Sequence, residues 1–132
     1  MSDATESPLR TENDIVLARQ VVRRKAQEAG LSLVDQTKIV TAASELARNA
    51  LIYGGGGVMI SELVTNGLRR GLKLQFRDEG PGIPDLDLAM KDGWTSGTGL
   101  GMGLSGAKRL VNDFDIVTGP GRGTCVTITR WK

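Results

Sequence analysis

The sequence predicts a two-layer α+β sandwich, a mixed and mostly antiparallel sheet covered on one face by about three helices. Three observations predict it. The first 53 residues carry two apolar stripes with helical spacing. From Val58 onward the apolar residues recur with period two instead. A long stretch rich in Gly, Pro, Asp and Ser, from Glu79 to about Gly99, then separates those strands from a third helix and a closing hairpin.

Residues 1–10 are expected to be a flexible N-terminus, with Pro8 to Thr11 as a short edge strand. Residues 11–132 are expected to form one domain. Thr11-Glu12-Asn13-Asp14 has the spacing of a capping box. Ile15, Ala18, Val22, Ala26 and Ala29 then share one helical face, and Gly30 closes the helix. Asp35 is the expected cap of a second helix. Its stripe is Ile39, Ala42, Ala43, Leu46, Ala50 and Tyr53, and it stops at Gly54-Gly55-Gly56-Gly57. Val58 to Val64 is a strand, Asn66-Gly67 a turn. Leu72, Leu74 and Phe76 alternate with Lys73, Gln75 and Arg77, so the next strand buries one face. Leu104 to Asp113 is the third helix. Ile116–Thr118 and Thr124–Trp131 pair across Gly119 to Gly123.

Composition narrows the function. With 39% hydrophobic and 24% charged residues the chain is globular, not disordered. A net charge of +2 suggests neither nucleic-acid nor membrane binding, and 4% aromatics leave little for a base-stacking surface. No apolar run approaches a membrane span, and Met1 to Glu6 is polar, so a cytoplasmic location is expected. There is no His, which excludes His/Cys zinc sites, Ser-His and Cys-His nucleophiles, and self-phosphorylation on histidine. The lone Cys125 is expected to be a buried thiol. Glycine is abundant, 18 residues, and clustered where main chain must approach something closely.

Three features carry chemistry. Glu45 and Asn49 lie about 40° apart on the second helix, at the edge of its apolar stripe. The carboxylate can act as a base, and the amide oxygen can reach a hard cation such as Mg²⁺. The plainer alternative is a solvated polar pair. Asp78, heading Asp78-Glu79-Gly80-Pro81-Gly82-Ile83, shares the side of Leu72, Leu74 and Phe76. A carboxylate on a covered face needs donors, and the exocyclic amine of adenine is one. The alternative is a turn with an Asp cap. Gly97-Thr98-Gly99-Leu100-Gly101-Met102-Gly103-Leu104 runs into a helix, and its N–H groups with the helix N-terminus form an anion nest. It is neither a Walker A nor a Rossmann fingerprint. Phosphate charge would be met by Mg²⁺, these N–H groups, or Lys108, Arg109 or Arg48.

In combination, these segments resemble the GHKL (Bergerat-fold) ATPase superfamily. Ser44-Glu45-Leu46-Ala47-Arg48-Asn49 resembles its N box, and Asp78-Glu79-Gly80-Pro81-Gly82 its G1 box. Gly99-Leu100-Gly101-Met102-Gly103-Leu104 resembles its G2 box, and Gly121-Arg122-Gly123-Thr124 the Gly-x-Gly-Thr that ends the site. The match spans roughly residues 12–131. Within the superfamily, the chain is similar to RsbT-type serine/threonine switch kinases of bacterial stress signalling. Tyr53 stands where many RsbW-type relatives carry His.

The resemblance implies Glu45 as general base, Asn49 as Mg²⁺ ligand, and Asp78 as the adenine site lined by Gly80, Gly82 and Ile83. It implies phosphate contacts from Gly97 to Leu104, support from Thr124, and an ATP lid over about 84–98, in which Trp94 docks on a partner or on the domain itself. It further implies transfer from ATP to a STAS-domain partner and activation of a phosphatase by the free kinase; the charge and aromatic content already argue for no nucleic-acid and no membrane partner. The alternatives are an RsbW-type anti-sigma kinase holding a sigma factor directly, and a module that binds nucleotide without turnover.

Overall fold

The computed structural model describes residues 4–83, 90, 103–119 and 121–132. The described elements run β1 (Thr5–Leu9), α1 (Glu12–Glu28), α2 (Leu33–Ile52), β2 (Gly57–Asn66), β3 (Arg69–Asp78), α3 (Gly103–Arg109), β4 (Asp113–Thr118) and β5 (Thr124–Trp131). The strands form one sheet in the order β1-β2-β3-β5-β4. Every pairing is antiparallel, so the mixed pairing expected from the sequence is absent among the described residues.

α1 starts as its sequence requires. The Thr11 hydroxyl accepts from the Asp14 N–H at 3.1 Å, and the Asp14 carboxylate accepts from the Thr11 N–H at 3.2 Å. Ile15, Ala18, Val22 and Ala26 then face inward. α2 is capped by Ser32, not Asp35: the Ser32 hydroxyl accepts from the Asp35 N–H at 3.1 Å, which makes Asp35 a first-turn acid favoured by the helix dipole. Tyr53 leaves the stripe and is 39% exposed, because it lies past the last helical residue, where the main chain has begun to turn away.

The edge strand occupies Thr5–Leu9, three residues earlier than Pro8–Thr11, pairing with β2 from Thr5↔Ser61 to Leu9↔Gly57. The buried Lys25 ammonium reinforces it, donating to the Thr5 hydroxyl at 2.7 Å and the Ser61 carbonyl at 3.0 Å. The β2–β3 loop has Gly67 at φ 63° in its first position, as a type II′ turn demands. α3 ends at Arg109 instead of Asp113, and β4 begins at Asp113 instead of Ile116. Residues 113–118 pair residue for residue with β5, and that ladder outweighs the continuing helical pattern.

The core lies between the sheet and the helices. Met59, Leu72, Leu74, Phe76, Val126 and Ile128 meet Ile39, Ala43, Leu46 and Ala47 of α2. Cys125 is half-buried and falls between the inward-facing Thr124 and Val126 in register, on the opposite face, which corrects the expected buried thiol.

Candidate active site

Strand register builds the base end of the site. Leu9, Gly57, Asp78, Thr124 and Thr118 are successive cross-strand partners, one on each of the five strands. Directly paired residues project to the same face, so Asp78, Thr124 and Thr118 stand side by side beneath the helices. Asp78 therefore faces inward, as its parity with Leu72, Leu74 and Phe76 predicts.

Glycine main chain surrounds the Asp78 carboxylate. Gly54 packs so closely that a Cβ there would lie 2.5 Å from the Asp78 Cβ, and a Cβ on Gly80 would lie 2.7 Å from the Gly54 Cα. Any larger side chain would fill the space next to the carboxylate. The Gly80 N–H donates to Asp78 Oδ1 at 3.0 Å. Burial pushes the Asp78 carboxyl above its ordinary value, and main-chain hydrogen bonds from Gly80 and Thr124 pull it partly back.

The tetraglycine run connects this end to α2. The Asn49 carbonyl accepts from the Tyr53 N–H at 2.9 Å and the Gly54 N–H at 3.3 Å, and the Ala50 carbonyl accepts from Gly56 at 2.9 Å. α2 is thereby terminated on Asp78. Asn49 sits one turn before that junction and Glu45 about 6 Å further back along the axis. Both are half-buried. Burial raises the Glu45 carboxyl above its ordinary value, with the Arg48 guanidinium pulling in the other direction. Arg48 itself reaches Glu12 at the start of α1, at 3.5 Å. Neither Glu45 nor Asp78 is in an ion pair among the described residues.

Leu104 of α3 is buried in the shared core, and Gly103 begins the helix at φ 58°. α3 packs on α2, so the helix that Gly103 begins is held against the one that bears Asn49. Gly97, Thr98, Gly99, Leu100, Gly101 and Met102 lie outside the described residues, as do Trp94 and most of the expected lid. Met90 is described and is half-buried against the core.

Thr124, expected to support Asp78 or the base, serves Asp78 with its main chain, while its hydroxyl lies 2.9 Å from the Thr118 hydroxyl. Thr118 also accepts from the Ile83 N–H at 2.9 Å and donates to the Gly123 carbonyl at 3.1 Å. Sequence reasoning missed two residues here. Thr118 and Gly54 enter the site only through strand pairing and helix termination, and the local signal for each was a hydroxyl before a glycine hairpin and a glycine run after a helix.

The described site thus joins a helix end carrying Glu45 and Asn49 to an inward carboxylate, and sequence comparison says which family the chain resembles. The sequence model of the histidine kinase-, DNA gyrase B- and HSP90-like ATPases matches residues 34–132. The serine/threonine-protein kinase RsbT of Bacillus subtilis (strain 168) is 44% identical over 131 residues, 99% of this chain and 98% of its own. This chain belongs to that ATPase family and to its RsbT-like serine/threonine-protein kinases. An anti-sigma F factor of Bacillus licheniformis is 31% identical over 121 residues, 86% of this chain and 81% of its own. Among solved structures, the RsbU and RsbW domains of Rv1364c from Mycobacterium tuberculosis share the fold at a TM-score of 0.66 and 24% identity, over 98% of this chain and 31% of that one. No helix among the described residues is long and apolar enough to cross a membrane.

Proposed function

We propose that this kinase transfers the γ-phosphate of ATP to a serine or threonine of a STAS-domain partner in a cytoplasmic partner-switching pathway. One observation carries the reading: two carboxylates, Asp78 and Glu45, are raised by burial, are in no ion pair among the described residues, and belong to the two elements joined at the Gly54 junction. Partly buried carboxylates with no cation opposite them suit a nucleotide kinase, which needs one acceptor for the base and one for a proton.

Asp78 accepts from the adenine amine, with Gly80, Gly82 and Ile83 beside the base. Glu45 takes the proton of the incoming hydroxyl as its oxygen bonds to the γ-phosphorus and the bond to the ADP oxygen breaks. Asn49 offers one neutral amide oxygen, which suits Mg²⁺ held mainly by phosphates and water, and that ion would neutralise phosphate charge. Residues 97–104 supply main-chain N–H groups to the phosphate oxygens. When not bound to the STAS protein, the kinase activates a phosphatase.

Incubation with γ-labelled ATP, Mg²⁺ and a STAS protein tests the reading. Label on a serine or threonine that vanishes with Glu45→Gln supports it; equal labelling by the variant overturns Glu45 as base. The similarity to anti-sigma F factors favours a second reading, direct capture of a sigma factor. Recovery of a sigma factor without a STAS protein from extract would select it.

A further inference from the structure

The geometry points to Thr118 as the residue that fixes the proton of Thr124 and so makes the base pocket prefer a 6-amino purine over a purine without the amine; this rests on Asp78 being the base site.

The argument is one of counting. A hydroxyl has one proton and two lone pairs. Thr118 Oγ1 has three neighbours: the Ile83 N–H at 2.9 Å, the Gly123 carbonyl at 3.1 Å and the Thr124 hydroxyl at 2.9 Å. The amide can only donate. The carbonyl can only accept, so it takes the single Thr118 proton; otherwise two oxygens would face each other lone pair to lone pair. The remaining bond must then run from Thr124 to Thr118.

Thr124 is left with its proton committed and its lone pairs free. It stands beside Asp78 in register, on the same face, and directly paired side chains lie about 5 Å apart. The pocket thus presents acceptors from both residues. A 6-amino group satisfies them, and a purine with hydrogen in its place leaves them without a donor. Without the Thr118 hydroxyl, Thr124 can rotate and donate, and the discrimination weakens. Thr118 touches no substrate in this account; it is a positioning residue.

The test is calorimetric binding of ATP and of purine riboside triphosphate, which carries hydrogen where ATP carries the amine and keeps N1 as an acceptor. Wild type should prefer ATP. Thr118→Val should narrow the ratio of the two Kd values by about tenfold, the worth of one reoriented hydrogen bond. Thr118→Ser, which keeps the hydroxyl, should restore it. In a Thr124→Val background the ratio should already be narrow, and Thr118→Val should add nothing further; Thr118→Ala takes the place of Thr118→Val if that variant does not fold. Equal shifts for both nucleotides in Thr118→Val, or additive effects in the double variant, would overturn the inference alone. A wild type that binds ATP no better than the analogue without the amine would overturn the Asp78 reading with it.

Discussion

The two ends of the sheet hold inward-facing charge in opposite ways. At the end away from the site, Arg130 of β5 donates to the Asp35 carboxylate at 2.8 Å and to the Leu110 carbonyl at 3.4 Å. It joins the start of α2 to the chain leaving α3, with both partners mostly covered, 17% and 24% exposed. Only the Nε of Arg130 is buried without a partner among the described residues. At the base end, Asp78 is stabilised by main-chain hydrogen bonds alone. A paired charge stabilises the fold, whereas a desolvated carboxylate without a cation opposes it and stays available for a ligand.

Glu45→Gln should produce the largest effect. Phosphotransfer should fall by about 10²–10⁴, with ATP affinity held within a few-fold, in a single-turnover assay. In wild type the acid limb of kcat should lie above 4.5, since burial raises the carboxyl and the base works only when deprotonated. That limb should be missing from Glu45→Gln.

Asp78→Asn should weaken ATP binding by about a hundredfold by calorimetry, as the amide oxygen stays with the Gly80 N–H and its NH₂ meets the adenine amine donor to donor. The same change should stabilise the ligand-free protein to heat at neutral pH. A raised carboxyl pKa means the charged form costs stability above the folded-state value, and the cost is relieved as pH falls. The stability advantage of the variant should therefore shrink as pH is lowered toward the ordinary aspartate value of 3.8. A variant less stable than wild type would break the contrast between the two ends.

Arg130→Met should act in the reverse sense. Unfolding free energy should drop by about 1–3 kcal/mol, because Asp35 loses its partner, while the ATP Kd of the folded protein stays the same. Asp35→Asn should be the mildest change, about 1 kcal/mol in denaturant titration, since an amide oxygen can still accept from the guanidinium.

Legibility followed the range of each interaction. The Thr11 capping box and the α1 stripe could be read because caps and helical faces are set by residues within a turn of one another. The inward side of Asp78 could be read because strand parity passes along a single strand. Ser32 outcompeted Asp35 as a cap because only the three-dimensional path shows where the chain turns into α2. Residues 110–113 read as helical in isolation, but 110–112 form the turn into the β4–β5 ladder and Asp113 is its first residue.

The sequence by itself determined the elements, the face each one buries, and the polar residues left at their edges, because periodicity is written residue by residue. Tertiary structure decided which of those residues meet. Thr118 lies 35 positions from Ile83, and the Asp78–Thr124 register spans two strands. Such contacts arise from long-range pairing and a helix ending against a strand tip, and neither leaves a local pattern to read.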